Sequence, residues 1–387
     1  MILPKRIGRV SAMTTPPHPA RPAATRPASP AAPPAPASPE PVPGPEPVAG
    51  PRPEPEPVPG PVAGLGPGSG PVAGPGPAAS SLAERLAAGT GGILLLGLTP
   101  PRRSATAEQA ADIADVTLRR LAGLDLDGLI LYDIDDESDR NPEQRPFPYL
   151  PTMDPAVFHA EHLGGWPHPV IIYRCVGKYR APELTAWLRS VDPARVLSVF
   201  VGSSSTDKPV HTGLAEAHAL HDEVRPELEL GGVAITERYA QRGDEHLRML
   251  TKQSRGCLFF VSQVVYDVDT TKSLASDYYY ACAERGIAPR PVIFTLSVCG
   301  STKTLAFLQW LGVNVPKWLE NSLRHSTDPL AESYRRCLAT AADLVEFCTE
   351  LGLPFGFNVE SVSIRKAEID ASVALAADIR RLLTAAG

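Results

Sequence analysis

The chain has 387 residues, 43% of them hydrophobic, and a formal net charge of −6 at pH 7. That acidic balance argues against a protein built on phosphate-backbone contacts, which need clustered Lys and Arg. No apolar run approaches the roughly 20 residues that cross a bilayer. The expected partner is therefore a small molecule, met in the cytoplasm, with neither nucleic acid nor membrane involved.

Of the 43 prolines, 25 precede position 80, in text such as PEPVPGPEPVAGPRPEPEPVPGPVAG. Residues 1–80 have no apolar periodicity and cannot bury enough surface to offset their chain entropy. They are expected to form a disordered Pro/Ala/Gly-rich tether, the PVAGP and PVPGP repeats being tether composition rather than a solenoid. No long apolar stretch follows MILPKRIGRVSAM, which predicts no secretory leader. Residues 81–387 are long enough for one large domain with a substantial core. The six cysteines show no CxxC spacing and read as reduced thiols in apolar surroundings.

Along that domain, short apolar runs alternate with helical patterns. Strands are expected at 93–98 (ILLLGL), 128–133 (GLILYD), 169–174 (PVIIYR), 196–201 (VLSVFV), 231–235 (GGVAI), 257–263 (CLFFVSQ), 291–297 (PVIFTLS) and 355–360 (FGFNVE). Their unbroken apolar character suits a parallel sheet covered on both faces. Between them, SATAEQAADIADVTLRRLAG offers Ser104 as N-cap and Gly123 as stop. APELTAWLRSV, LAEAHALHDEV, GDEHLRMLTKQS and ESYRRCLATAADLVEFCTELG follow the same logic. WLGVNVPKWLENSLRH adds a helix or two after strand seven. Eight alternations over this length predict a (β/α)8 TIM barrel.

In such barrels function sits at the C-terminal ends of the strands. That rule places Tyr132 and the acidic run Asp133, Asp135, Asp136, Glu137 and Asp139 at one rim. VGSSST, TERY, SQVVYD, CGSTKT and NVESVSIR join them there. Gln263, an amide ending an apolar strand, needs either a buried partner or a ligand. DDESD has the spacing D-D-x-x-D, in which Asp135, Asp136 and Asp139 would hold Mg²⁺ for a diphosphate substrate; a solvated loop is the plainer reading. Ser204 in VGSSST, and Ser301, Thr302 and Lys303 in CGSTKT, fit an anion cradle at a helix N-terminus, or a simple cap. Asp267 and Asp269 are candidate caps of the next helix. With no HxH or HExxH spacing zinc is not expected, and His211, His218 and His221 read as surface residues.

GGVAITERYAQRGDEHLRMLTKQSRGCLFFVSQVVYD resembles the central segment of methylenetetrahydrofolate reductases. RPVIFTLSVCGSTKTLAFLQWLGVNVPKWLENSL and LGLPFGFNVESVSIRKAEI resemble the blocks that follow, and LLLGLTPPR the first strand with its Pro-Pro-Arg. The resemblance implies an oxidoreductase acting on a folate one-carbon unit or a similar flat heterocycle. In it Gln263 contacts the pterin, Arg365 pairs with the folate glutamate tail, and Glu237 and Lys252 match family positions. Tyr132 and Ser203 are counted with the substrate-binding positions.

Two family residues are replaced. The first-strand glutamate that protonates the substrate is Gly97 here, and no neighbour in that strand supplies a proton; Glu237 and Glu360 are the remaining candidates. Ser203 stands where the family has an aspartate beside the flavin. The resemblance therefore implies hydride from NAD(P)H rather than an FAD enzyme. The alternative is a Mg²⁺-dependent transferase that uses the acidic run and the Gly/Ser loops for an allylic or other diphosphate.

Overall fold

The protein is known from a computed structural model, which describes residues 81–136, 141, 143–202 and 209–386. The Pro-rich segment lies outside the described residues, and so do Glu137, Asp139, Ser203 and Ser204.

The order is α1 (Leu82–Ala87), β1 (Ile93–Leu98), α2 (Ala107–Leu121), β2 (Gly128–Leu131), α3 (Pro155–His162), β3 (Val170–Cys175) and α4 (Ala181–Ser190). It continues with β4 (Val196–Val201), α5 (Leu214–Val224), β5 (Leu230–Ala234), α6 (Thr236–Arg242), α7 (Glu245–Ser254), β6 (Phe260–Val264) and α8 (Val268–Glu284). It ends with β7 (Val292–Ser297), α9 (Thr302–Trp310), α10 (Lys317–His325), α11 (Pro329–Leu351), β8 (Phe355–Glu360) and α12 (Lys366–Ala386). The eight strands are parallel and close into a barrel in sequence order, with β1 pairing β8. The expected (β/α)8 barrel is the fold.

Element ends follow local chemistry. Helix α2 starts after Thr106 rather than Ser104, because Thr106 and Gln109 satisfy each other's backbone N–H groups in a capping box. Asp328 caps α11, Pro329 opens it, and Gly352 at φ 79° closes it. Strand β2 ends at Leu131, two residues early, because the Asp133 side chain turns to accept the Cys175 N–H at 2.8 Å. His221 is a correction: it is buried, its Nε2 2.8 Å from the Leu228 carbonyl, so it ties α5 to the β5 approach.

Strand alternation divides the core into two shells. Leu94, Leu96, Phe294, Leu296, Phe357 and Val359 point outward under the helices. Ile93, Leu95, Ile130, Ile171, Leu197, Val199, Phe259, Val261 and Ile293 fill the barrel, and Leu82 and Leu86 of α1 belong to this inner cluster. Full burial of each such side chain contributes about 1.5–3 kcal/mol. Gly231 is glycine because a Cβ there would stand 2.4 Å from the Phe259 ring.

Candidate functional site

Toward the C-terminal mouth the inward positions change from aliphatic to polar. Tyr132 directly follows β2, Thr295 and Ser297 lie on β7, and Asn358 and Glu360 on β8. Asn358 Nδ2 donates to the Tyr132 hydroxyl at 2.9 Å and to Thr295 Oγ1 at 3.3 Å. The Tyr132 hydroxyl in turn hydrogen-bonds the Glu360 carboxylate. Tyr173 of β3 packs edge-on against Tyr132, ring centroids 5.1 Å apart.

Burial pushes the Glu360 carboxyl up to about 7, with the Tyr132 hydrogen bond pulling the other way. Burial first, and then the Glu360 charge, raise the Tyr132 phenol well above its ordinary value, so Tyr132 stays a donor. Glu360 is thus a carboxyl that exchanges its proton near neutrality, the property a general acid needs.

Gly97 explains where that carboxyl comes from. Gly97 and Glu360 are register partners on β1 and β8. A Cβ on residue 97 would meet the Tyr132 ring at 2.9 Å and the Glu360 Cβ at 3.1 Å. The space that a first-strand side chain would occupy is filled by Glu360 and Tyr132. No side chain within β1 is ionisable; on the adjacent strand the Glu360 carboxyl stands beside Gly97. The signal was present in FGFNVE, where Gly356, Asn358 and Glu360 alternate with Phe357 and Val359.

A second group of mouth residues gathers on the opposite arc. Gln263, half-buried at the end of β6, donates from Nε2 to the Leu311 carbonyl at 3.2 Å. Three residues on, Asn314 donates its backbone N–H to Glu237 at 3.2 Å and its side-chain amide to Asp267 at 2.7 Å. Asp267 also caps α8 by accepting the Thr270 N–H. The α9–α10 connection therefore straps across the ends of β5 and β6. Burial raises the Glu237 carboxyl, and the nearby Asp267 charge adds to that. Asn314 was not singled out from the sequence, because nothing in WLGVNVPK marks which way the insert folds.

Other expected site residues are used differently. Lys252 lies on α7 behind β5; its ammonium donates to the Val233 carbonyl and stands 3.7 Å from the wholly buried Glu245. The structure does not bring it to the mouth. Ser301 caps α9, accepting the Thr304 N–H at 3.1 Å, and Thr302 begins that helix. Lys303 stacks over Phe147, 4.7 Å from the ring centroid. Arg365, largely exposed, donates to the Gly300 carbonyl and to the buried Glu368, both at 3.3 Å. A Cβ at residue 300 would meet the Glu368 side chain at 2.6 Å, so a carboxylate lies directly against the CGSTKT loop. That geometry is a capped helix, not a cradle for an anion.

The acidic run divides. Asp133 is buried and accepts from the Cys175 N–H, the Lys178 ammonium and the Tyr179 hydroxyl, so it ties the β2 end to β3. Asp135 accepts the Asp136 N–H at 2.8 Å. Among the described residues no group of three or more His, Cys, Asp or Glu side chains is placed to hold a metal ion.

A large cavity, about 890 Å³, lies away from the mouth, on the barrel flank between α3 and α4. Arg174, on the outer face of β3, lines it, bonded to Asp154 at 2.7 Å and sandwiched between the rings of Tyr179 and Trp187. Burial works against ionisation of Asp154, but the Arg174 charge and hydrogen bond hold its carboxyl below the ordinary value.

No protein-family profile and no curated protein matches the chain. Among solved structures, an uncharacterized protein from Clostridium thermocellum that binds two copies of 5-methyl-5,6,7,8-tetrahydrofolic acid is 41% identical, over 78% of this chain and 99% of that one, with a TM-score of 0.70. A dihydropteroate synthase from Anaplasma phagocytophilum is 11% identical over 75% of this chain and 98% of that one, with a TM-score of 0.38. A GH10 endoxylanase from a sugarcane soil metagenome is 11% identical over 70% and 85%, also with a TM-score of 0.38. Nothing about the site rests on the last two.

Proposed function

This chain belongs to the same family as the Clostridium thermocellum protein, and on that premise we propose that it binds reduced folates, in two equivalents, and acts on the one-carbon unit of the folate held at the barrel mouth. The reaction is of the methylenetetrahydrofolate reductase type. The observation that carries this reading is the Glu360–Tyr132 pair in the space beside Gly97.

Opening a methylene bridge between N5 and N10 needs a proton on N10 as the carbon–nitrogen bond breaks, the bonding pair going to N10. A carboxyl with its pKa raised to about 7 is half protonated at neutral pH and suits that transfer. Tyr132 orients it, and Asn358 fixes Tyr132 through the 2.9 Å hydrogen bond. The N5 iminium so formed accepts a hydride from a reduced nicotinamide dinucleotide, bound as co-substrate, giving the N5-methyl group. Gln263, across the mouth, orients the pterin once its amide leaves the Leu311 carbonyl. Arg365, exposed at the rim, faces the acidic tail.

Ser297 Oγ and Asn358 Oδ1 are buried in the layer with Glu360 and lack hydrogen-bond partners. Unpaired buried groups of this kind cost about 1–3 kcal/mol each, and polar atoms of a ligand at the mouth would offset that cost.

The test is direct. Purified protein should oxidise NADPH or NADH in the presence of methylenetetrahydrofolate and bind 5-methyltetrahydrofolate in calorimetry. Glu360→Gln should abolish turnover while retaining binding. Binding without turnover by the wild-type protein would leave a folate-binding protein and remove the reductase.

A further inference from the structure

Two folates need two places, and the mouth accounts for one. We propose that the flank cavity between α3 and α4 is the second ligand site, built for an elongated planar heteroaromatic acid, a second reduced pteroylglutamate. This rests on the folate reading above.

The size fits, since a cavity of about 890 Å³ is within the range that encloses a drug-sized ligand. So does the shape. The cavity runs beside the ten-residue α4, about 15 Å long at the helical rise, from Glu183 in its first turn to Arg195 just beyond its end.

The polarity is graded along that length. At the upper end stand the carboxylates of Asp154 and Glu183, acceptors for the amino and N–H edge of a pterin. The middle has aromatic walls, Trp187 and Tyr179. At the lower end Arg195 gives one N–H to the Trp166 carbonyl at 2.6 Å and is paired with no carboxylate among the described residues. The other two cations of the wall are already matched, Arg174 by Asp154 and Lys178 by Asp133. Asp192 also lines that end, but its carboxylate accepts the Ala194 N–H at 3.0 Å, and Arg195 is the cation left to meet the tail carboxylate of the same ligand.

Arg174 supplies an independent sign of a built site. It is 3% exposed, yet it lines the cavity and its Nε has no hydrogen-bond partner. That Nε is itself closed to solvent, and what marks the wall is a buried guanidinium fixed in place by Asp154 and by the rings of Tyr179 and Trp187.

The experiment is calorimetric titration of the full chain with 5-methyltetrahydrofolate. Ala186→Trp adds an indole to the cavity from an exposed position of α4, and Arg195→Gln removes the tail partner without adding bulk. The wild type should bind two equivalents. Each flank variant should bind one with NAD(P)H turnover unchanged, and Gln263→Ala should keep the flank equivalent. Two equivalents bound by both flank variants, or one bound alike by the wild type and both variants, would overturn the flank site and leave the mouth reading standing. No binding by any of the four proteins would remove both.

Discussion

Gly97 and Glu360 face each other across the β1–β8 seam, and the missing side chain of one is the room for the other: a Cβ on residue 97 would lie 3.1 Å from the Cβ of Glu360 and 2.9 Å from the Tyr132 ring. Gly97→Ala should therefore overpack the mouth. A destabilisation of about 1–3 kcal/mol is expected, together with loss of turnover as Glu360 is displaced. Denaturant melts and a steady-state assay on one preparation check both; an alanine variant with full activity would mean that the seam is looser than its geometry.

The same seam shows what the sequence could and could not reveal. Eight apolar runs at regular spacing leave little choice but a parallel barrel, because each run is too short and too continuous for anything but a strand buried on both faces. The inward carboxyl was legible on β8, where alternation sends Asn358 and Glu360 inward. Its link to Gly97 was not, because which strand closes against β1, and in what register, is decided by the whole ring. Lys252 misled for a related reason: the pattern of α7 says that one face is buried, not that its lysine ends against the Val233 carbonyl. Asp133 looked like part of a charged cluster, and only the arrival of Lys178 and Tyr179 from β3 turns it into an anchor.

Glu360 predicts a pH dependence of activity. If its protonated form is the acid, kcat/KM falls as pH rises through about 7, where the carboxyl loses its proton. Tyr132 lowers that pKa by its hydrogen bond, so Tyr132→Phe should move the falling limb to higher pH as well as slow the reaction. A pH–rate profile of the two proteins separates this from a purely structural role for Tyr132, which would change the rate and leave the limb in place.

Stability should carry the same signature with a definite sign. A carboxyl raised in the folded state binds more protons folded than unfolded, so the native state loses stability as pH rises from the unfolded value of about 4.5 to the folded value of about 7. The total is on the order of 3 kcal/mol. Glu360→Gln cannot ionise and should flatten this part of the curve, making the variant more stable than the wild type at pH 7.5 but not at pH 4.5. Urea midpoints at four or five pH values between these limits would show it, and parallel curves for the two proteins would refute the assignment.

The acidic run yields the last prediction, which sets anchor against ligand site. Asp133 is buried and holds the Lys178 ammonium, the Tyr179 hydroxyl and the Cys175 N–H. Burial opposes ionisation of Lys178, yet the Asp133 charge raises its pKa above the ordinary value, so the ammonium keeps its proton. Removing one member strands the other, at a cost of about 3 kcal/mol or more. Asp133→Ala should accordingly lower the melting temperature clearly, whereas the neighbouring substitutions Asp135→Asn and Asp136→Asn should change neither stability nor folate affinity much. EDTA should leave all four proteins, wild type included, as they were. Were the Asp135 and Asp136 variants instead to lose activity that Mg²⁺ restores in the wild type, the run would be a metal site and the transferase would displace the reductase.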